Sequence, residues 1–284
     1  MLVFLEIFAQ SPRNTVQARS FETRGGGNFM ATTTVGMPDP APEPQAAVNS
    51  FARIVGVILS PSKAFADIVK RPAWLVAMIV MILISLGLSI TLAQRADWVQ
   101  VSKDQIAKSK FASRQFDQMT EQQKAQAFEQ TAHRSKIIRE VRGVIGWPLL
   151  LLFVSAIYFG AFKLLGGIRT NFATAFAVCT FAHLPVAIRE LLAIPVNLLR
   201  DPSLIDPENF LASNPAAVIG DVSGWSAVPL TALDIFSLWS LALVAIGFSA
   251  ADPKKVPLGK SFGIAFSVWG SIMLFFTMVA WVLS

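Results

Sequence analysis

An all-α, polytopic membrane helical bundle with five transmembrane helices is the fold this sequence predicts, and three observations predict it. The stretch 227–248, AVPLTALDIFSLWSLALVAIGF, holds one charge, Asp234. At ~1.5 Å per residue it is long enough to cross a hydrocarbon core of ~30 Å. Further apolar runs of similar length occur at about 75–93, 144–165, 172–194 and 262–283. Finally, 54% of the residues are hydrophobic, 15% are charged and the mean hydropathy is +0.55, whereas a soluble domain carries roughly 25% charge.

Residues 1–47 are rich in Gly, Thr and Pro after a short apolar patch, MLVFLEIF. They lack the basic lead and small-residue cleavage site of a signal peptide and read as a disordered segment, with Met30 the expected true start. From Val48 the character changes. VNSFARIVGVILS reads as a short apolar helix, and Ser60-Pro61 opens a second, with Ser as N-cap and Pro at the first helical position. In that amphipathic N-terminal helix Ala64, Phe65, Ile68 and Val69 share one face, and Lys63, Asp67 and Lys70 the other. It suits either an interfacial position with its lysines at lipid head groups or a cap packed on the bundle.

Arg71-Pro72 breaks the chain, Trp74 marks an interface, and the first span follows at 75–93 without a charge. Ser85, Gly87, Ser89 and Thr91 give it a small-residue side suited to close packing. Residues 94–143 are polar, lack Pro and read as helix outside the bilayer; Thr120 and Gln123 have the spacing of a capping box. The second span, 144–165, ends at Gly166-Gly167, and Thr170 or Asn171 caps the third, 172–194. Pro185, Arg189, Glu190 and Pro195 make the third irregular and predict a break or kink between His183 and Pro195. An acidic, Pro- and Asn-containing loop at 200–226 precedes the fourth span, 227–248, and a basic turn, ADPKKVPLGK, precedes the fifth, 262–283. Gly263, Ser267 and Ser271 repeat there every fourth residue as a helix-packing seam, a place for a homo-oligomer or membrane-protein partner to pack.

The net charge of +6 does not imply a nucleic-acid partner, because Lys and Arg are divided among loops between spans; the lipid bilayer, with its anionic head groups, is the expected partner. Lys63, Lys70, Arg71, Lys163, Arg169, Lys254, Lys255 and Lys260 fall on one side, which places the N-terminus in the cytoplasm; the basic residues of 94–143 vote the other way. One cysteine, Cys179, and two distant histidines, His133 and His183, provide no metal site, and no catalytic or cofactor-binding motif is present. The sequence therefore predicts a non-enzymatic integral membrane protein without a cofactor, a scaffold or organiser or a trafficking-like membrane protein.

Asp234 is the sharpest candidate site. A charge placed within a span costs ~2.5 to 3.5 kcal/mol on insertion scales and is expected to find a partner or water. Arg189, or else His183, is the expected partner in an intramembrane polar pair, serving either to fix helix register or, alternatively, to line the polar path of a small transporter or channel.

SPSKAFADIVKRPAWLVAMIV, LLGGIRTNFATAFAVCTFAHLPVAI, NFLASNPA and LDIFSLWSLALVAIGFS resemble, in order and spacing, the corresponding parts of the YIP family (Ypt/Rab-GTPase-interacting proteins), and in particular its bacterial branch. The resemblance covers about 50–284. It implies a five-span helical domain with a cytoplasmic N-terminus, located here in a bacterial inner membrane. Eukaryotic members are associated with small GTPases and vesicle trafficking, and the bacterial domain occurs without that machinery. The Arg189-Glu190 pair departs from the family pattern, and no site residues carry over.

Overall fold

The computed structural model describes residues 49–108, 118–219 and 224–283, together with 114, 116 and 222; the expected disordered segment 1–47 and its Met30 start lie outside the described residues. All regular elements among them are helical. Helix α1 (Ser50–Leu59) begins at Asn49, whose side chain accepts the Phe51 N–H, and α2 (Pro61–Lys70) begins with proline at its first position. Of the two positions open to the amphipathic helix, packing is observed: Phe65 and Ile68 are fully buried against the bundle.

Helix α3 (Leu75–Arg95) is the first span. Its small side is used as a contact: a Cβ on Gly143 would lie 2.6 Å from Ser89 Oγ and 3.3 Å from Leu86 Cα, so glycine permits the approach of the second span. After α4 (Trp98–Lys108), helix α5 runs without interruption from Glu121 to Ala161. Thr120 caps it through the predicted box, with the Gln123 N–H donating to Thr120 Oγ1 at 3.4 Å and the Thr120 N–H to Gln123 Oε1 at 2.9 Å. The polar segment from Glu121 onward and the second span as far as Ala161 are thus one helix of 41 residues, since helix propensity persists where hydropathy changes. A π-helical turn, Phe162–Gly166, and left-handed Gly167 (φ 70°) then end it.

The third span comprises α6 (Phe172–Ala182) and α7 (Leu184–Leu199), broken at His183 within the predicted interval. Pro185 occupies the first turn of α7, where a missing N–H leaves no helical bond unmade, and Pro195 is carried inside the helix. A loop with one short α-helix, α8 (Pro215–Ile219), and 3-10 turns at Pro202–Leu204 and Gly224–Ser226 leads to α9 (Ala227–Ala232) and α10 (Ile235–Ala251). The expectation of one continuous helix over 227–248 with Asp234 inside it is corrected: α9 and α10 are bent by 55° across Leu233-Asp234. The cause is local. Asp234 is extended (φ -71°, ψ 133°) and caps α10 instead of continuing α9. Helix α11 (Leu258–Leu283) completes the chain's described part.

Four helices are long and apolar enough to cross a membrane, five with the bent pair as one span, and the protein is a multi-pass membrane protein. The main core joins α1, α2, α3, α5, α6, α7, α10 and α11 around Val57, Phe65, Met81, Leu151, Phe181 and Leu243, with Phe162 and Phe248 stacked at 4.1 Å. A smaller core of Leu88, Leu92, Ala193, Ile205 and Phe210 closes the other end.

Candidate functional site

The charged residues of the third and fourth spans meet under the 200–226 loop. Asp234, 1% exposed, sits at the start of α10, where its Oδ1 accepts the Phe236 and Ser237 N–H groups, each at 3.0 Å, and the Ser237 hydroxyl at 3.3 Å. Its Oδ2 accepts a hydrogen bond from Ser213 Oγ and lies 3.3 Å from Arg189 Nη1. The Ile235 N–H donates to the Ser213 carbonyl at 3.2 Å, so loop and helix are joined by backbone as well as side chain. An ionised carboxylate offers about four lone-pair sites; here they are taken by the α10 N-terminus, a loop serine and an arginine.

Arg189 also stacks on Phe210, its guanidinium carbon 5.0 Å from the ring centroid, and Arg139 of α5 approaches the same ring at 5.7 Å. Phe210 is held by Asn197, whose Nδ2 donates to the Phe210 carbonyl at 2.9 Å and to the Ala193 carbonyl at 2.7 Å. Arg95 at the end of α3 donates to the Arg200 carbonyl at 3.1 Å. The loop is therefore tied to four helices: α3 at Arg200, α5 and α7 at Phe210, and α10 at Ser213.

Glu190, beside Arg189, accepts from Trp147 Nε1 at 3.2 Å, with Ser85 and Arg139 as further polar neighbours. His183 turns Nδ1 to the Cys179 carbonyl at 2.8 Å and its ring toward Trp147, 6.4 Å away, so it is Arg189 and not His183 that lies beside Asp234. Gly263, Ser267 and Ser271 are exposed, and a Cβ on Gly263 would meet nothing within 4 Å among the described residues; this stripe faces away from the bundle.

Several of these partners carry no sequence signal. Phe210, Trp147 and Arg139 come from distant positions without a shared period, whereas Asp234 followed by Ser237 at the start of an apolar run is a readable N-cap pattern. Among the described residues no group of three His, Cys, Asp or Glu could hold a metal ion.

Residues 55–280 match the family described as the Yip1 domain. The chain belongs to the Yip1 family. The match takes in the whole charged cluster, from Ser85 and Arg95 to Asp234, together with the membrane spans except the last two residues of the final one. No curated protein and no solved structure matches the chain. Within this Yip1 domain, what the cluster can do chemically is limited by its geometry: Asp234 and Arg189 neutralise one another, Glu190 faces an indole N–H, and their contacts fasten the loop to the helix ends.

Proposed function

We propose that this Yip1-family protein is a non-enzymatic scaffold or organiser of a bacterial inner membrane, with its N-terminus in the cytoplasm, acting through helix packing, lipid contact or partner recruitment. The observation that supports this reading is the saturation of Asp234. Its carboxylate binds two backbone N–H groups, two hydroxyls and a guanidinium of the same chain. Such a group is suited to fix the position of the loop and the third and fourth spans; an ion or proton path needs acceptors that a passing ligand can use.

The experiment compares wild-type and Asp234→Asn protein in proteoliposomes, measuring thermal stability and, with an enclosed pH dye under a potassium gradient, proton and potassium flux. The scaffold reading predicts that the variant melts at lower temperature while both proteins leave flux at the level of empty liposomes. A wild-type flux that the substitution abolishes at unchanged stability would overturn it in favour of a transporter or channel.

A further inference from the structure

Helix α1 presents two unlike faces. Val57 and Arg53 are buried, whereas Phe51, Val55 and Leu59, spaced one turn apart, are 61%, 55% and 74% exposed. Arg53 determines which face turns outward. Its Nε donates to Asp67 Oδ2 at 2.7 Å and its Nη1 to the Arg71 carbonyl at 3.0 Å, so one guanidinium fastens α1 to the side and to the C-terminal end of α2. Helix α2 is fixed in turn, with the Phe65 ring packed closely on Gly247, where a Cβ would meet Phe65 at 3.1 Å and Val178 closer still. The apolar stripe of α1 is therefore held away from the core, on a helix pair that leads directly into Trp74 and the first span.

The charge at this end of the bundle is one-sided. The Arg169 N–H donates to Asp252 Oδ2 at 3.2 Å and Lys260 Nζ to the Gly166 carbonyl at 3.3 Å, which joins the turn after α5 to the turn before α11; α2 packs beside them on α10. Segments 48–74, 162–171 and 249–261 together hold nine basic residues and two acidic ones. Both acids are engaged, Asp67 by Arg53 and Asp252 by the N–H groups of Arg169 and Lys255. At the opposite end, the described residues of 95–143 and 200–226 include ten basic and eight acidic ones. Lys63, Lys70, Arg71, Lys254 and Lys255 are exposed, as are the apolar Leu164 and Leu165.

From this we infer that α1 is an interfacial helix, with Phe51, Val55 and Leu59 inserted among acyl chains, and that the basic residues around it make this end of the protein a surface for anionic phospholipid. An apolar helical stripe beside unneutralised cations is complementary to a leaflet with a negative surface, since each Lys or Arg near such a surface adds attraction. A protein partner covering the stripe, or a second copy of the chain, would not require the charge excess. The inference stands on α1 and the charge distribution, independently of the role of Asp234.

The test uses the full-length protein with Cys179→Ala and Val55→Cys, labelled with an environment-sensitive fluorophore and reconstituted in phosphatidylcholine with or without phosphatidylglycerol. The expected result is quenching by a lipid-borne nitroxide and protection from an aqueous quencher, with lipid quenching rising about twofold or more when phosphatidylglycerol is present. Lys254→Glu/Lys255→Glu should remove that rise and leave the label at position 55 in the bilayer. A Lys63→Cys label, on the outer side of α2, should stay open to the aqueous quencher. A position 55 label open to water in both bilayers overturns the insertion. Protection that depends on the protein-to-lipid ratio assigns the stripe to a second copy and overturns it equally. Lipid quenching indifferent to phosphatidylglycerol overturns the anionic-lipid surface.

Discussion

Asp234 shows how much one side chain decides. As the cap of α10 it satisfies two N–H groups that the bend at Leu233 would otherwise expose, and as the partner of Arg189 it neutralises a half-buried cation. The two roles separate by substitution. Asp234→Ala removes both and is expected to cost ~3 to 5 kcal/mol, the range for breaking a buried charge pair. Asp234→Asn keeps a capping oxygen but still leaves Arg189 without its charge partner, so it should cost less than Asp234→Ala by about the worth of the cap, ~1 kcal/mol. Thermal or denaturant unfolding of the two variants in one detergent checks the order, and equal losses would mean that the cap contributes little. Asp234 stood out in the sequence because it is a lone charge in an apolar run. Its N-cap pattern with Ser237 is outweighed in the sequence by the length of the run, which suffices for a span and invites a continuous helix. Glu190 was visible, but its partner Trp147 lies 43 positions away and no local pattern pairs them.

At the scale of elements, the junctions rest on glycine. Gly143 lets α5 lie against Ser89 of α3, and Gly143→Val should force the helices apart at a cost of ~1 to 3 kcal/mol. The effect should appear as a lower melting temperature, with secondary structure by circular dichroism unchanged. Gly167, at φ 70°, ends the second span; Gly167→Ala should cost about 1 kcal/mol through left-handed strain alone, because a Cβ there meets nothing within 4 Å among the described residues. The Gly166-Gly167 stop, the Asn171 cap, the Ser60-Pro61 start and the Thr120 box were legible because each depends on residues within a turn of one another. The unbroken α5 was not, because the hydropathy change at about 143 marks where the helix enters the apolar phase and not where it begins. The interruption of the third span was readable from its prolines, yet Pro195 is accommodated and the break falls at His183.

For the whole molecule, apolar run length was enough to give the helical class and the four or five spans, but not the closure of one end. That end depends on contacts between the 200–226 loop and four helices, made by Arg200, Phe210 and Ser213 across large sequence separations. The resulting molecule has two unlike ends: a nearly charge-balanced one, latched by the loop over Arg189 and Asp234, and a cationic one bearing α1. The orientation proposed for the bundle puts the cationic end in the cytoplasm, in keeping with the preference of basic residues for that side. The most direct measurement is side-specific labelling of single cysteines at Gln100, Leu204 and Lys254, each in a Cys179→Ala background. All three positions are exposed, and none takes part in the latch. The account predicts that positions 100 and 204 label from outside intact cells and that position 254 labels only after the membrane is opened. Labelling of 254 from outside, or of 100 and 204 on opposite sides, would contradict it.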